Sequence, residues 1–278
     1  MQVQNPSIYG ALQKQAGIII QARSKYNPTN KLTTENAVNK QESIAFVWLK
    51  IVDEVGVVMK DEPMLAHFLQ TTVLDHGNMG ESLGFHLASK LANQSVPFAT
   101  LMPLFNEIFA SEEVLYAASR DIQATVDRDS ACSVYSTPFL YFKGFLALQA
   151  YRVTHQLWNR GNQSLALMLQ HSISTHFAVD IHPAAKIGSG ILIDHATGLV
   201  IGETAVVEDS VSIMQSVTLG GTGKESGDRH PKIRKNVLLG PGAKVLGNIE
   251  VGEGSIGCRI KCGLKVGACA FYYRGCSC

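Results

Sequence analysis

Five polar residues in the C-terminal part of the chain have the side chains that acid–base catalysis needs. They are Asp180, Asp194, His195, Arg229 and His230. An imidazole titrates near neutral pH and can take a proton from an attacking hydroxyl group, provided that a carboxylate orients the ring and stabilises its cation. His195 is the candidate base, and Asp180 lies 15 residues before it. The alternative for His195 is a structural role, in which the ring caps a turn or lines a solvated edge.

The segment that carries these residues has a six-residue period. A period of six fits neither a helix nor a free-standing strand, but it suits a short strand and a tight turn that stack on their neighbours. It predicts a parallel β-helix in which each hexapeptide forms one side of a triangular coil. Asp180 and His195 can then lie on adjacent layers. The repeated aliphatic residues are Ile181, Ile187, Ile193, Ile201, Val207, Ile213, Leu219, Ile233, Leu239, Val245 and Val251.

Two departures from the period lie next to the candidate residues. Two extra residues separate Ile193 from Ile201, directly after Asp194 and His195. Between Leu219 and Ile233 the chain is eight residues longer than a normal repeat, and this excursion carries Arg229 and His230. Because loops held by a rigid scaffold often carry function, we expect the site to lie at these departures.

The preceding segment, residues 43–179, has apolar residues at helical spacing, for example Trp48, Ile51 and Val55. This segment predicts five to eight helices, and the polar residues 1–42 form a leader or a peripheral helix. The fold class is therefore α+β, with an N-terminal helical domain before the β-helix. The expected helix breaks lie near residues 61–63, 77–80, 97, 103 and 136–138.

The composition narrows the classes of partner. The net charge of +1 gives no concentrated basic surface for a nucleic acid or a membrane. No apolar run reaches the 18 residues of a transmembrane helix, and the N-terminus lacks the pattern of a secretory signal. A small-molecule substrate and a cytoplasmic location are expected.

Several motifs follow one another along the β-helix segment: DIHPAAKIG, DHATG, GETAV, SVTLGGTGK and GDRHPKI. In their order and spacing they resemble the serine O-acetyltransferase family. The upstream segments DEPMLAHF, DIQATVDRD and YSTPFLYFKGFLALQAYR extend the resemblance over about residues 43–255. It implies a left-handed β-helix, trimers that pair into hexamers through the helical domains, and active sites between neighbouring β-helices.

The resemblance implies a reaction and the residues that perform it. His195 would deprotonate the hydroxyl of L-serine, with Asp180 as its orienting partner, and the oxygen would attack the thioester of acetyl-CoA. Asp129 and Asp194 would hold the serine ammonium, Arg229 would pair with the carboxylate, and His230 would assist in the same pocket. The implied acetyl-CoA site contains Gly221, Thr222, Pro241 and Gly242.

The resemblance also bears on ligands and partners. It implies no metal, and it implies feedback inhibition by L-cysteine, a near isostere of serine. The assembly is a homotrimer or a dimer of trimers. In the family the C-terminus binds O-acetylserine sulfhydrylase, but this complex is doubtful here because the C-terminal sequence differs.

Other functions stay open at this point. An acetyltransferase for a sugar or another small hydroxyl acceptor would keep the histidine without needing a charge pair for an amino acid. A metal-dependent hydratase would use histidines such as His171 and His176, although both precede the repeats. A third alternative is a scaffold without catalysis, or with impaired catalysis because of the aberrant C-terminus.

The predicted units are a leader (1–42), a helical oligomerisation domain (43–179), an acetyltransferase β-helix (180–256) and a divergent tail (257–278). Five of the six cysteines lie in the last 21 residues. Read one base along, codons for this tail can encode pieces that resemble the family's final coils. We therefore interpret the tail as a frameshifted end.

Overall fold

The computed structural model describes residues 40–223 and 226–257. Residues 1–39 of the predicted leader (1–42) lie outside the described residues, and residues 40–42 already belong to the first helix described, so the predicted boundary at residue 43 is three residues too late. Residues 258–278 also lie outside the described residues, and with them the hypothesis of a frameshifted end. The residues described cover the candidate site except for positions 224 and 225 in the excursion.

Helices form the first part of the described chain. Asn78 caps one of them, because its side-chain oxygen accepts a hydrogen bond of 3.0 Å from the backbone N–H of Glu81. None of the helices described is both long enough and apolar enough to cross a membrane. The α-helices are α1 (Lys40–Asp61), α2 (Ala66–Leu69), α3 (Met79–Leu91), α4 (Phe98–Phe109), α5 (Glu112–Arg128), α6 (Ser136–Tyr141), α7 (Lys143–Asn159) and α8 (Gln163–Phe177); a 3-10 turn (Pro63–Leu65) and a π turn (Gln70–Leu74) flank α2.

The predicted helix break near Pro103 is wrong. Pro103 lies inside α4, which continues to Phe109. A proline in a helix removes one hydrogen bond and costs roughly 3 kcal/mol. The helix nevertheless continues because its apolar face is buried, with Leu101 and Phe105 each 1% exposed and Ile108 fully buried. Tertiary packing of this face outweighs the local preference of proline.

Short strands follow the helices, and each pairs in parallel with the strand three places later. The sheet orders are β1-β4-β7-β10, β11-β8-β5-β2 and β12-β9-β6-β3. The described chain from residue 179 onwards therefore winds as a three-sided coil, and the predicted order of helices before parallel strands is confirmed. The strands are β1 (Val179–Ile181), β2 (Lys186–Ile187), β3 (Leu192–Ile193), β4 (Leu199–Ile201), β5 (Val206–Val207), β6 (Ser212–Ile213), β7 (Thr218–Gly220), β8 (Lys232–Ile233), β9 (Leu238–Leu239), β10 (Lys244–Leu246), β11 (Glu250–Val251) and β12 (Ile256–Gly257).

The repeated aliphatic residues stack on one another from coil to coil. Ile181 pairs with Ile201, which pairs in turn with Leu219. These three side chains are at most 3% exposed. The six-residue period thus reflects side chains that fill the inside of the coil.

A buried carboxylate joins the helices to the coil. Asp121 on α5 is fully buried, and its Oδ2 atom accepts a hydrogen bond of 2.6 Å from Nη2 of Arg152 on α7. Its Oδ1 atom accepts the backbone N–H of Ile191 at 2.8 Å, and Nη2 of Arg152 also donates to the carbonyl of Gly188 at 2.8 Å. Side chains of two helices thereby hold the chain that leads into β3.

A close backbone approach adds to this junction. A Cβ atom built on Gly144, near the start of α7, would lie 2.1 Å from the carbonyl oxygen of Ile193 in β3. Arg128 at the end of α5 donates to the carbonyl oxygens of Gly190 and Ser210. The last residue of β3 therefore packs directly on a helix, immediately before Asp194.

Replacing Gly144 by alanine is expected to destabilise the protein. The added methyl group would overlap the Ile193 carbonyl, and overpacking of this kind costs about 1–3 kcal/mol. The matched control is Gly56→Ala in α1, where nothing lies within 4 Å of the added atom. The control should be neutral or stabilising, by up to about 1 kcal/mol. Urea denaturation measures both effects, and equal stability of the two variants would contradict the close packing at β3.

Candidate active site

The chain turns sharply after β3, and this turn exposes His195. His195 and Ala196 have left-handed backbone angles, with φ of 56° and 61°. The N–H of Ala196 donates to the carbonyl of Asp194 at 2.6 Å. The side chain of His195 is 72% exposed, and its Nε2 atom lies 3.6 Å from Oδ2 of Asp194. The two-residue departure from the period thus places an accessible imidazole beside a carboxylate.

Asp180, the predicted orienting partner of His195, has a different contact. It lies on β1, and its Oδ1 atom accepts a hydrogen bond of 2.7 Å from the amide of Gln170 on α8. In the part of the chain that the structure describes, no hydrogen bond or ion pair joins Asp180 to His195. The carboxylate that the structure brings to the ring is that of Asp194, and the orienting role of Asp180 stays a prediction.

The excursion between β7 and β8 brings Arg229 to a glutamate that the sequence did not single out. Nη2 of Arg229 lies 2.6 Å from Oε2 of Glu203, and Nη1 donates to the carbonyl of Gly227 at 3.1 Å. The hydrogen bond from Arg229 holds the pKa of Glu203 below its usual range. The guanidinium is therefore fixed by a charged partner one coil away.

His230 is buried against the coil, with 6% of its surface exposed. Its ring occupies the space above Gly202, where a Cβ atom would lie 2.0 Å from both Cδ2 and Nε2. Its Nδ1 atom accepts the backbone N–H of Thr204 at 3.1 Å. Burial and the charge of Arg229 lower the pKa of His230. The ring is thus held neutral over a wider range of pH than a free histidine.

Asp129, predicted to hold an ammonium group, directly follows α5. Its Oδ1 atom accepts the backbone N–H of Ala131 at 2.9 Å. The neighbouring Arg128 bonds to Gly190 and Ser212 on the coil. Arg128 thereby ties this end of α5 to the sheet that contains β3, although among the residues described no hydrogen bond or ion pair joins Asp129 to Asp194.

The four predicted cofactor residues fall into two pairs. Gly221 and Thr222 begin the excursion, and a Cβ atom on Gly221 would lie 3.5 Å from Cγ of Arg229. Pro241 and Gly242 form the turn between β9 and β10, and the N–H of Gly242 donates to the carbonyl of Gln215 at 2.9 Å. Gly221 and Thr222 therefore lie beside Arg229, whereas Pro241 and Gly242 lie at the same corner as His195 but two coils away.

The site residues consequently occupy two different corners of the coil. His195 lies at the corner before the sheet of β1, β4, β7 and β10, whereas Arg229 lies at the corner after it. A strand of three residues, such as β4, spans about 10 Å. One chain therefore brings together Asp194 with His195, and Arg229 with His230, but keeps these pairs apart.

A separate cavity of about 530 Å³ lies between α5 and the sheet of β3, β6, β9 and β12. Arg128, Ser212 and Leu238 are among its lining residues, and none of the ten predicted site residues is. Among the residues described, no group of three or more His, Cys, Asp or Glu side chains is placed to hold a metal ion.

Two residues of the site were missed by sequence reasoning. Glu203 and Thr204 belong to the GETAV motif, but nothing in the six-residue period distinguishes them from other turn residues. Their contacts are with residues 25 or 26 positions later in the chain. The register of the repeats could have pointed to them, because the turn after Ile201 must stack directly on the turn after Leu219, where the excursion begins.

Comparison with known proteins adds independent information. A family model described as serine acetyltransferase, N-terminal, matches residues 47–150. The serine acetyltransferase of Salmonella typhimurium (strain LT2) is 56% identical over 215 residues, which are 77% of this chain and 79% of that protein.

Solved structures of serine acetyltransferases are also similar to this chain. A serine acetyltransferase in complex with cysteine shares 54% identity and a TM-score of 0.75, over 76% of this chain and 88% of that chain. The serine acetyltransferase of Brucella abortus strain S19 in complex with coenzyme A shares 47% identity and a TM-score of 0.74, over 76% of this chain and 84% of that chain. The relative and the two solved structures each cover about three quarters of this chain.

Replacing Gly202 by alanine is expected to displace the ring of His230, because the new methyl group would lie 2.0 Å from it. The hydrogen bond to Thr204 would be lost, and the melting temperature should fall. Gly252→Ala is the matched control, since Gly252 also follows a repeated aliphatic residue and its added atom would meet only the Ser255 hydroxyl, at 3.8 Å. Thermal denaturation and hydrogen exchange at the Thr204 amide measure the effect. An unchanged Thr204 amide in Gly202→Ala would contradict the stacked arrangement.

Proposed function

Because this chain belongs to the serine acetyltransferase family, we propose that His195 and Arg229, at its two exposed corners, carry out acetyl transfer from acetyl-CoA to L-serine. The product is O-acetyl-L-serine, used for cysteine biosynthesis. The observation that carries the assignment of the base is the exposed imidazole of His195, 3.6 Å from a carboxylate oxygen of Asp194.

His195 acts as the general base. A ring nitrogen takes the proton of the serine hydroxyl as its oxygen attacks the carbonyl carbon of the thioester. The tetrahedral intermediate then collapses, the carbon–sulfur bond breaks, and the proton leaves with the thiol of coenzyme A. The carboxylate of Asp194 stabilises the imidazolium that forms between these steps. Asp180 is the predicted orienting partner on the neighbouring strand.

Arg229 binds the serine carboxylate. A guanidinium presents five N–H donors in a planar fork, and its hydrogen bonds to Glu203 and Gly227 leave others for a ligand. Asp129 and Asp194 supply negative charge for the serine ammonium. A sugar hydroxyl would gain nothing from these three charges, so the arrangement favours an amino acid as acceptor.

The complete site forms between neighbouring chains. The Arg229 corner of one coil meets the His195 corner of the next, in a homotrimer that pairs into a dimer of trimers. The separation of the two corners within one chain supports this proposal, because a strand between them spans about 10 Å. The three-sided coil is a left-handed parallel β-helix, as the resemblance implies.

Acetyl-CoA binds along the turns at Gly221 and Thr222 and at Pro241 and Gly242. Backbone N–H groups of a glycine-rich turn can approach a ligand closely and can stabilise a developing oxyanion. The complex of the Brucella abortus relative with coenzyme A supports acetyl-CoA as the acetyl donor.

L-cysteine acts as a feedback inhibitor in the serine pocket. It differs from serine only in a sulfur atom for an oxygen, so the same charges bind it. A relative solved in complex with cysteine supports this proposal. We expect the reaction to take place in the cytoplasm.

His195→Ala is expected to fold normally and to lose acetyl transfer by about 10²-fold or more, as is typical when a general base is removed. The assay follows the free thiol of coenzyme A, with serine and several sugars as acceptors. His67→Ala, at an exposed position on α2, is the control and should retain full activity.

Two further variants identify the carboxylate that serves His195. Asp180→Asn is expected to lose less activity than His195→Ala, because the base itself remains. Asp194→Asn tests the carboxylate that contacts the ring. Near wild-type turnover of His195→Ala, or a sugar preferred over serine, would overturn the proposed function.

Arg229→Ala is expected to raise the KM for serine far more than the KM for acetyl-CoA, since it removes a charge-assisted contact to the amino acid alone. Inhibition by cysteine should weaken in parallel. Arg160→Ala, which removes an exposed guanidinium paired with Glu107 on the helices, is the control. Equal changes in both KM values would indicate that Arg229 has a structural role instead.

A further inference from the structure

The hydroxyl group of Thr204 makes more contacts than a turn residue needs. Its oxygen accepts the backbone N–H groups of Arg229 at 3.0 Å and of His230 at 3.1 Å. The same oxygen lies 2.8 Å from Nδ1 of His230. One side chain therefore holds the backbone of two predicted substrate-binding residues and the ring of one of them.

These contacts determine which ring nitrogen of His230 carries the proton. A hydroxyl oxygen has two acceptor sites and one hydrogen to donate. Both acceptor sites are used by backbone N–H groups, and the hydroxyl hydrogen faces two acceptors, Nδ1 at 2.8 Å and the carboxylate of Asp228, whose pKa its hydrogen bond lowers. The backbone N–H of Thr204 points at the same nitrogen from 3.1 Å. Because the backbone N–H of Thr204 donates to Nδ1, this nitrogen is unprotonated, and the neutral ring has its hydrogen on Nε2.

The coil one layer earlier repeats this arrangement. In the parallel register Ile181 pairs with Ile201, so His182 corresponds to Gly202 and Ala184 to Thr204. Nδ1 of His182 accepts the backbone N–H of Ala184 at 3.1 Å. One layer on, Gly202 has no side chain, and the ring of His230 enters from the excursion to accept the corresponding N–H. Two imidazoles thus cap equivalent turns, each through Nδ1.

The charged groups around His230 have opposite effects on the pKa of its ring. Arg229, Lys232 and His182 disfavour a positive ring, whereas Glu203 favours one. The carboxylate of Glu203 is itself paired with Arg229, at 2.6 Å. Lys232 donates to the carbonyl oxygens of Thr204 and His230, each at 2.8 Å. Lys232 is itself paired with Asp228, at 2.6 Å. The cationic groups, burial and the backbone N–H of Thr204 at Nδ1 all favour the neutral ring.

We propose that Thr204 is a positioning residue for acetyl transfer, which holds His230 as the neutral Nε2–H tautomer so that the ring donates a hydrogen bond to an oxygen of the bound amino acid. This inference rests on the proposed function. Among the residues described, nothing accepts a hydrogen bond from Nε2 of His230. Although the residue is only 6% exposed, this nitrogen is not fully buried, so a ligand can reach the donor. His230 is then a donor, and His195 alone is the base.

Thr204→Val tests the proposal, because valine keeps the shape of threonine and removes the hydroxyl. We expect kcat/KM for serine to fall roughly 10-fold, within the range for a lost buried hydrogen bond, while the KM for acetyl-CoA changes by less than about twofold. The acidic limb of the pH profile of kcat/KM should move to higher pH, since a ring held less firmly neutral is protonated more readily. Thr204→Ser should restore both properties.

The control and the direct measurement are independent of activity. Thr218→Val removes a hydroxyl elsewhere on the coil, where it accepts from Lys244 at 2.7 Å, and should leave kcat/KM for serine unchanged. Solid-state nitrogen NMR of the wild-type protein labelled at histidine should show His230 neutral with Nδ1 unprotonated at pH 7. His230→Gln identifies its signal.

The outcomes separate this inference from the proposed function. A protonated Nδ1 in wild type overturns the proposal, whatever the variants do. Wild-type kinetics and pH profile in Thr204→Val, with His195→Ala inactive, would overturn it and leave the proposed function standing. Full activity of His195→Ala would instead refute the proposed function, while the NMR signal still reports the tautomer. If Thr204→Val does not fold, Thr204→Ser and the NMR measurement decide.

Discussion

The buried carboxylate of Asp121 is the interaction on which the geometry of the site depends. It accepts hydrogen bonds from Gln149, from Arg152 and from the backbone of Ile191, and so connects two helices with the strand that ends directly before Asp194. A charge that is fully buried is stable only when it is paired and hydrogen-bonded. The pair therefore leaves the helices little freedom relative to the coil. This junction therefore fixes the position of the turn that carries the exposed His195 ring.

The coil imposes a second constraint, because its layers repeat at fixed spacing. A turn residue in one layer lies directly beside its counterpart in the next, so a missing side chain leaves a space of defined shape. Gly202 provides such a space, and the ring of His230 fills it. The excursion can consequently be eight residues longer than a normal repeat and still return its histidine to a fixed place.

The separation of the candidate site residues between two corners of the coil bears on how chains assemble. A triangular coil presents its corners outwards, and residues at different corners of one chain are separated by the length of a strand, about 10 Å. Side-by-side packing of coils brings unlike corners together, which is the arrangement that the proposed trimer needs. The helices then serve a double purpose, since α5 places Asp129 near the coil and α7 supports the turn at His195.

How much of this was predictable depends on the distance over which each interaction acts. The period of six predicted the strands, because each aliphatic residue must fill the inside of its own layer, and the two departures from the period located both polar turns. The break expected at Pro103 was wrong, since burial of Leu101, Phe105 and Ile108 outweighs a local preference. The sequence alone determined which residues repeat and which leave the repeat. Only the tertiary structure decided that Glu203 and Thr204 hold Arg229 and His230, and that Asp194 contacts His195 while Asp180 bonds to Gln170, because those contacts depend on how layers and helices are stacked.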